Sequence, residues 1–146
     1  MLKLSLVGYA EAGKTSLLTA LIKCAENGGV AVKCKGEEKD ARTDGIDIKW
    51  WKPRKGHPLQ LCAWDYAGQE EYLATHQFFL SSRSLHLLVF DLTNMQLPRL
   101  VAWVESLQSR APGSKIILVG SHLDECEGKG VNAAAVMEQA KDTIEE

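Results

Sequence analysis

Gly8-Tyr9-Ala10-Glu11-Ala12-Gly13-Lys14-Thr15 is the stretch on which the reading turns. It follows the apolar run of residues 2–7 and precedes Leu17, Leu18, Leu21 and Ile22, which recur at helical spacing. The pattern is strand, glycine loop, helix, and in that context G-x-x-x-x-G-K-[ST] is a phosphate-binding loop. Glycine lets backbone N–H groups turn inward onto phosphate oxygens at a helix N-terminus that already favours anions. The expected phosphate-contacting set is Gly8, Ala10, Glu11, Ala12, Gly13, Lys14, Thr15 and Ser16. Lys14 brings a point charge to the β and γ phosphates, and Thr15 offers a hydroxyl to Mg²⁺.

Outward from the loop, residues 26–42 are polar and glycine-bearing and predict a loop. Residues 46–51 alternate as a strand, 52–58 form a turn, and 59–64 form a second strand paired antiparallel to the first. A helix is expected over 70–80 and a buried strand over 85–90. Leu100, Val101, Val104 and Leu107 share one face of a helix over 97–110, with Trp103 on its flank. A further strand is expected over 115–119, and Asn132 caps a last helix running to Ile144. Continuous apolar strands alternating with helices predict an α/β fold with a mainly parallel sheet covered on both faces.

Two more segments carry chemistry. Asp65-Tyr66-Ala67-Gly68-Gln69 follows the hairpin. There Asp65 can hold Mg²⁺ through water, Gly68 can give its N–H to a γ-phosphate, and Gln69 can orient an attacking water. Thr43, just before the first hairpin strand, is the candidate second Mg²⁺ hydroxyl. Ser121-His122-Leu123-Asp124 decides the base. The Asp124 carboxylate accepts from both N1–H and N2–H of guanine. Adenine lacks the N2 amino group and presents a bare acceptor at N1, so the same carboxylate rejects it.

Composition narrows the partners. The chain has 146 residues, 45% hydrophobic and 25% charged, with 17 basic against 19 acidic side chains and a net charge of -2. That is one globular domain able to bury a core, without the positive footprint that nucleic-acid or membrane-surface binding requires. No apolar run is long enough to span a bilayer; the start is too short for a signal peptide, and the end carries no prenylation cysteine. Cys24, Cys34, Cys62 and Cys126 show no C-x-x-C spacing and read as free thiols in a reducing compartment. His57 belongs to a turn, His86 reads as a core histidine, and His76 reads equally as a surface residue or as part of a switch. The tryptophans read as packing, with Trp50 and Trp51 on opposite faces of one strand; an exposed one would mark a partner surface.

Together these residues resemble the Ras-like small GTPases over nearly the whole chain. Gly8 to Thr15 looks like the family's phosphate loop, Thr43 its first-switch threonine, Asp65 to Gln69 its D-x-x-G-Q switch, and Asp124 the aspartate of N-K-x-D. Within that family, Gly120-Ser121-His122-Leu123-Asp124 resembles the G-T-H-L-D of Roc domains, the GTPase modules of Roco proteins such as the leucine-rich-repeat kinases. The residues from Thr43 to Asp47 and from Trp64 to Phe79 are Roc-like too. The resemblance implies a Ras-like fold with one antiparallel edge hairpin strand, and a GTPase with Gln69 and Lys14 as its catalytic residues. The implied binding set adds Thr43, Gly68, His122 and Asp124 to the phosphate loop, with Thr15, Thr43 and Asp65 on Mg²⁺. It also implies a cytoplasmic multidomain parent with leucine-rich repeats, a COR domain as neighbour, homodimerisation, and activating or effector proteins.

Departures from the pattern carry expectations of their own. Ser121-His122 in place of Asn-Lys implies weaker nucleotide retention than in Ras, with His122 stacking on the base. Glu11 has a counterpart in G-protein α subunits and is expected to face away from the phosphates. Ala10 stands where Ras has glycine, and Asp40 where α subunits hold their arginine finger. Hydrolysis is therefore expected to be slow, with an arginine supplied by a partner; Arg42 and Arg83 are weak internal candidates. Two alternatives stay open: a GTP-binding scaffold with negligible hydrolysis, and an ATP-using phosphate-loop enzyme. Against the Ras-like plan, residues 1–146 read as a domain lacking its last strand and helix. An exposed sheet edge, reduced nucleotide affinity and self-association would follow.

Overall fold

The structure, a computed structural model, describes residues 1–29, 45–68 and 79–145. Its strands are β1 (Leu2–Val7), β2 (Ile46–Trp51), β3 (Leu61–Tyr66), β4 (Ser84–Asp91) and β5 (Lys115–Ser121). Its α-helices are α1 (Lys14–Glu26), α2 (Leu97–Arg110), the short α3 (Leu123–Cys126) and α4 (Ala133–Glu145). The strands form one sheet in the order β2-β3-β1-β4-β5. β1 runs parallel to β3 and β4, β4 runs parallel to β5, and β2 with β3 is the antiparallel pair. This is the mainly parallel α/β sheet of the Ras-like fold.

The apolar runs of β1 and β4 follow from burial on both faces. One face packs Leu4, Leu6, Ala63 and Val89 against Leu18 of α1. The other packs Val7, Leu88 and Phe90 against Leu100, Trp103 and Leu107 of α2 and Ala140 of α4. Each large aliphatic side chain fully buried in this way contributes about 1.5–3 kcal/mol. Edge strand β2 keeps its alternation: Trp51 packs toward α1, while Trp50 is 58% exposed and Ile48 45%. β5 closes the other edge, where Ile117 is 47% exposed.

Helix ends follow their caps. Gly13, at φ +88, precedes α1 in a left-handed conformation that glycine adopts without strain. The Asn132 side chain accepts from Ala135 N at 3.1 Å, so the expected cap before α4 is formed.

Two expectations need correction. The second hairpin strand begins at Leu61 rather than Leu59 and runs to Tyr66 rather than Trp64. Its limits are set by pairing on both sides, from Leu2↔Leu61 to Leu6↔Asp65 with β1 and from Ile46↔Tyr66 to Trp51↔Leu61 with β2. Asp65 therefore lies inside a strand, not after one. Trp103 is 4% exposed and belongs to the core instead of the helix flank. The expected helix over 70–80 lies almost wholly outside the described residues.

Candidate functional site

The carboxyl ends of β1, β3, β4 and β5 converge, the edge at which open parallel sheets bind ligands. The loop after β1 is pinned by Gly8. At φ +145, an added Cβ there would stand 2.2 Å from the Val89 carbonyl oxygen, so only glycine lets β1 turn beside β4. Gly13 brings the far end of the loop beside β5, its Cβ position 3.6 Å from the Ser121 Cβ. The phosphate-loop residues and the Ser121–Asp124 segment thus share one edge, as do Asp65 and Gly68 from the β3 side.

Lys14 opens α1 and is 6% exposed. Its Nζ donates to the Tyr9 carbonyl at 2.7 Å. Burial pushes its pKa down to about 8, partly opposed by the Asp65 charge. The Thr15 hydroxyl donates to Asp65 Oδ2 at 2.5 Å. Asp65 is fully buried, and burial drives its pKa up against the Thr15 hydrogen bond and the Lys14 and Lys49 charges. Its other oxygen, Oδ1, is buried with no hydrogen-bond partner among the described residues. An unsatisfied carboxylate oxygen beside a threonine hydroxyl is a donor set suited to a hard divalent cation. Gly68 closes against the loop: its carbonyl accepts from Ala10 N at 2.9 Å, and its added Cβ would lie 2.5 Å from Lys14 Nζ.

At the end of β5, the Ser121 hydroxyl donates to the Phe90 carbonyl at 3.0 Å, tying the loop after β5 to β4. With its one proton spent there, Ser121 Oγ accepts from His122 Nδ1 at 2.9 Å, which makes Nδ1 the protonated nitrogen. Asp91 lies 3.5 Å from the same nitrogen. Its carboxylate also accepts from the Thr93 amide and hydroxyl at 2.8 and 2.7 Å. Burial raises the Asp91 pKa, but the Thr93 hydrogen bonds, His122 and Lys129 together hold it below the usual carboxylate value. His122 adopts φ +58, and Asp124 is exposed in the first turn of α3. Glu11 and Ser16 are exposed.

Gln69 and Thr43, with Asp40, Arg42, His76 and Cys34, lie outside the described residues. Arg83 is excluded as an internal arginine finger. It immediately precedes Ser84, the first residue of β4, while Asp91 at the other end of that strand borders the site. At about 3.3 Å per residue the two ends are roughly 20 Å apart. His57 is exposed as expected, and His86 is fully buried with Nε2 3.2 Å from the Ser81 carbonyl. Cys24, Cys62 and Cys126 are free. No helix among the described residues is long and apolar enough to cross a membrane.

Sequence reasoning missed Asp91 and the aromatic contacts of Tyr9. The signal for Asp91 was present: it ends an apolar strand, and Thr93 two residues on is the partner an Asx turn requires.

Comparison with known proteins gives the family and the fold. The chain is 33% identical over 142 residues to the probable serine/threonine-protein kinase pats1 of Dictyostelium discoideum, covering 85% of this chain and 4% of that protein. It is 34% identical over 134 residues to leucine-rich repeat serine/threonine-protein kinase 1 of Caenorhabditis elegans, covering 85% of this chain and 5% of that one. Among solved structures, the Methanosarcina barkeri Roco2 RocCORdC bound to GDP superposes with a TM-score of 0.66 at 35% identity, covering 96% of this chain and 40% of that one. The chain therefore spans a small part of these kinases and less than half of the Roco2 chain. Residues 3–124 match the family described as Ras of Complex, Roc, domain of DAPkinase, and the chain belongs to that Roc family.

Proposed function

We propose that this chain is a guanine-nucleotide switch module, which binds GTP and GDP with Mg²⁺ and hydrolyses GTP slowly on behalf of a larger protein. The observation that carries the reading is the buried Lys14–Thr15–Asp65 group with its unsatisfied Asp65 Oδ1. A buried ammonium and carboxylate with incomplete partners are costly in isolation. A phosphate on the first and a divalent cation on the second relieve both costs. The GDP in the Roco2 structure supports the choice of ligand.

In this reading, the backbone N–H groups from Gly13 to Ser16 and the α1 N-terminus hold the β-phosphate, while Lys14 moves from the Tyr9 carbonyl to the β and γ phosphates. Mg²⁺, when bound, supplies charge that neutralises the phosphate oxygens, and Thr15, Asp65 and Thr43 would hold it. Gly68 N–H meets the γ-phosphate, and Gln69 orients the water that attacks phosphorus as the bond to the β-phosphate oxygen breaks. Asp124 reads N1–H and N2–H of guanine. His122, tied through Nδ1 to Ser121 and Asp91, covers the base. Ala10 puts a methyl where Ras has glycine and Arg83 lies too far away, so turnover is slow until a partner supplies an arginine. The parent is cytoplasmic and joins this module to a COR domain and a second protomer, with effectors reading the switches.

Single-turnover phosphate release from GTP tests the reading. Release that requires Mg²⁺, is unaffected by excess ATP and slows at least about tenfold in Gln69→Leu is expected. Tight GTP binding with no release would favour the scaffold alternative, and displacement by ATP would sink the guanine assignment.

A further inference from the structure

The Tyr9 side chain leaves the phosphate loop to meet α2. Its ring meets the Trp103 indole edge-on, with centroids 6.4 Å apart and planes at 81°. The Arg99 guanidinium carbon lies 4.7 Å from the centroid of the same ring. Both partners project from α2, one helical turn apart. A cavity of about 120 Å³ lies between the loop, the end of β4 and the start of α2, and Tyr9, Arg99 and Trp103 all line it. Trp103 is almost fully buried, and its indole N–H has no acceptor among the described residues, so packing alone fixes that ring.

The Tyr9 backbone faces the other way, into the site. Its carbonyl accepts from Lys14 Nζ at 2.7 Å and from Ala12 N at 3.3 Å. The next amide, Ala10 N, donates to the Gly68 carbonyl at 2.9 Å. One residue thus joins α2, through its ring, to the lysine and the switch glycine, through its peptide groups.

We infer that Arg99 and Trp103 are positioning residues for the nucleotide: by clamping the Tyr9 ring they set the loop conformation that retains it, and they make nucleotide release responsive to α2. The inference rests on the guanine-nucleotide reading above. Arg99 is exposed, so a partner carboxylate that draws the guanidinium off Tyr9 speeds release without touching the nucleotide.

The test loads the chain with fluorescent GDP and Mg²⁺ and follows release on adding excess unlabelled GDP. Arg99→Ala is expected to release GDP about two- to fivefold faster, the range set by one exposed cation–π contact. Arg99→Lys, which keeps a cation, is expected to restore most of the loss. In a Tyr9→Ala background, Arg99→Ala is expected to add nothing, while the melting temperature of Arg99→Ala stays near that of the parent. An unchanged release rate in Arg99→Ala overturns the inference. So does an acceleration of equal size in the Tyr9→Ala background, or one accompanied by a large loss of thermal stability. If the parent chain retains no GDP at all, the guanine-nucleotide reading itself has failed.

Discussion

Replacing Lys14 by methionine is expected to stabilise the ligand-free chain while abolishing nucleotide binding. Burial takes the Lys14 pKa from the ordinary 10.5 to about 8. Each tenfold change in proton affinity is worth about 1.36 kcal/mol, so the buried ammonium costs about 3 kcal/mol at pH 7. The sign follows from proton counts: between pH 8 and 10.5 the unfolded chain holds a proton that the folded chain has released, so stability rises with pH. By pH 9.5 the cost has fallen to about 1.4 kcal/mol. Methionine fills similar space but loses the hydrogen bond to the Tyr9 carbonyl, worth about 1 kcal/mol. The net expectation at pH 7 is about 2 kcal/mol of added stability, or roughly 4–8 °C in a chain of this size. The assay is thermal unfolding in EDTA, without nucleotide, at pH 7 and pH 9.5. The gap between variant and parent should largely close at the higher pH. A variant less stable at pH 7, or a gap that ignores pH, would refute the claim that Lys14 is a buried charge kept for its ligand.

Three further outcomes are expected. Gly68→Ala places a Cβ 2.3 Å from Ala10 N and from the Tyr9 carbonyl carbon; the second switch must retreat, so single-turnover GTP hydrolysis falls about tenfold or more while GDP binding, measured by titration, survives. His86 is buried with its pKa lowered by desolvation, against its Ser81 hydrogen bond. Below pH 6.5 the unfolded chain gains a proton that the folded chain refuses, so stability falls toward acid by up to about 1.4 kcal/mol per pH unit; urea midpoints at pH 7 and 5.5 should show this, and His86→Gln should flatten it. Trp103→Ala should cost about 3–5 kcal/mol in urea unfolding, whereas Trp50→Ser, at an exposed edge position, should change stability by less than about 0.5 kcal/mol.

What could be read from the sequence was local. The phosphate loop announces itself because its glycines, lysine and threonine are contiguous, and α2 was bounded correctly because its apolar stripe is complete within one segment. The limits of β3 were not legible, because pairing with both β1 and β2 sets them and carries the strand through Asp65 and Tyr66. Trp103 looked like a flank residue because the stripe of α2 takes no account of Tyr9, which widens the buried face of the helix from a distant part of the chain. Arg99 was invisible for the same reason: only the sheet order, with β4 beside β1, brings α2 over the loop. Asp65 was legible as a ligand candidate, but its orphaned oxygen is a property of burial.

Isothermal titration of the chain with GDP and with ATP, each with Mg²⁺, beside the same titrations of Lys14→Met, tests the central claim most directly. Saturable binding of GDP at one site, no comparable heat with ATP, and loss of the GDP signal in Lys14→Met is the predicted result. Equal binding of ATP and GDP, or GDP binding that survives the loss of Lys14, would contradict the account.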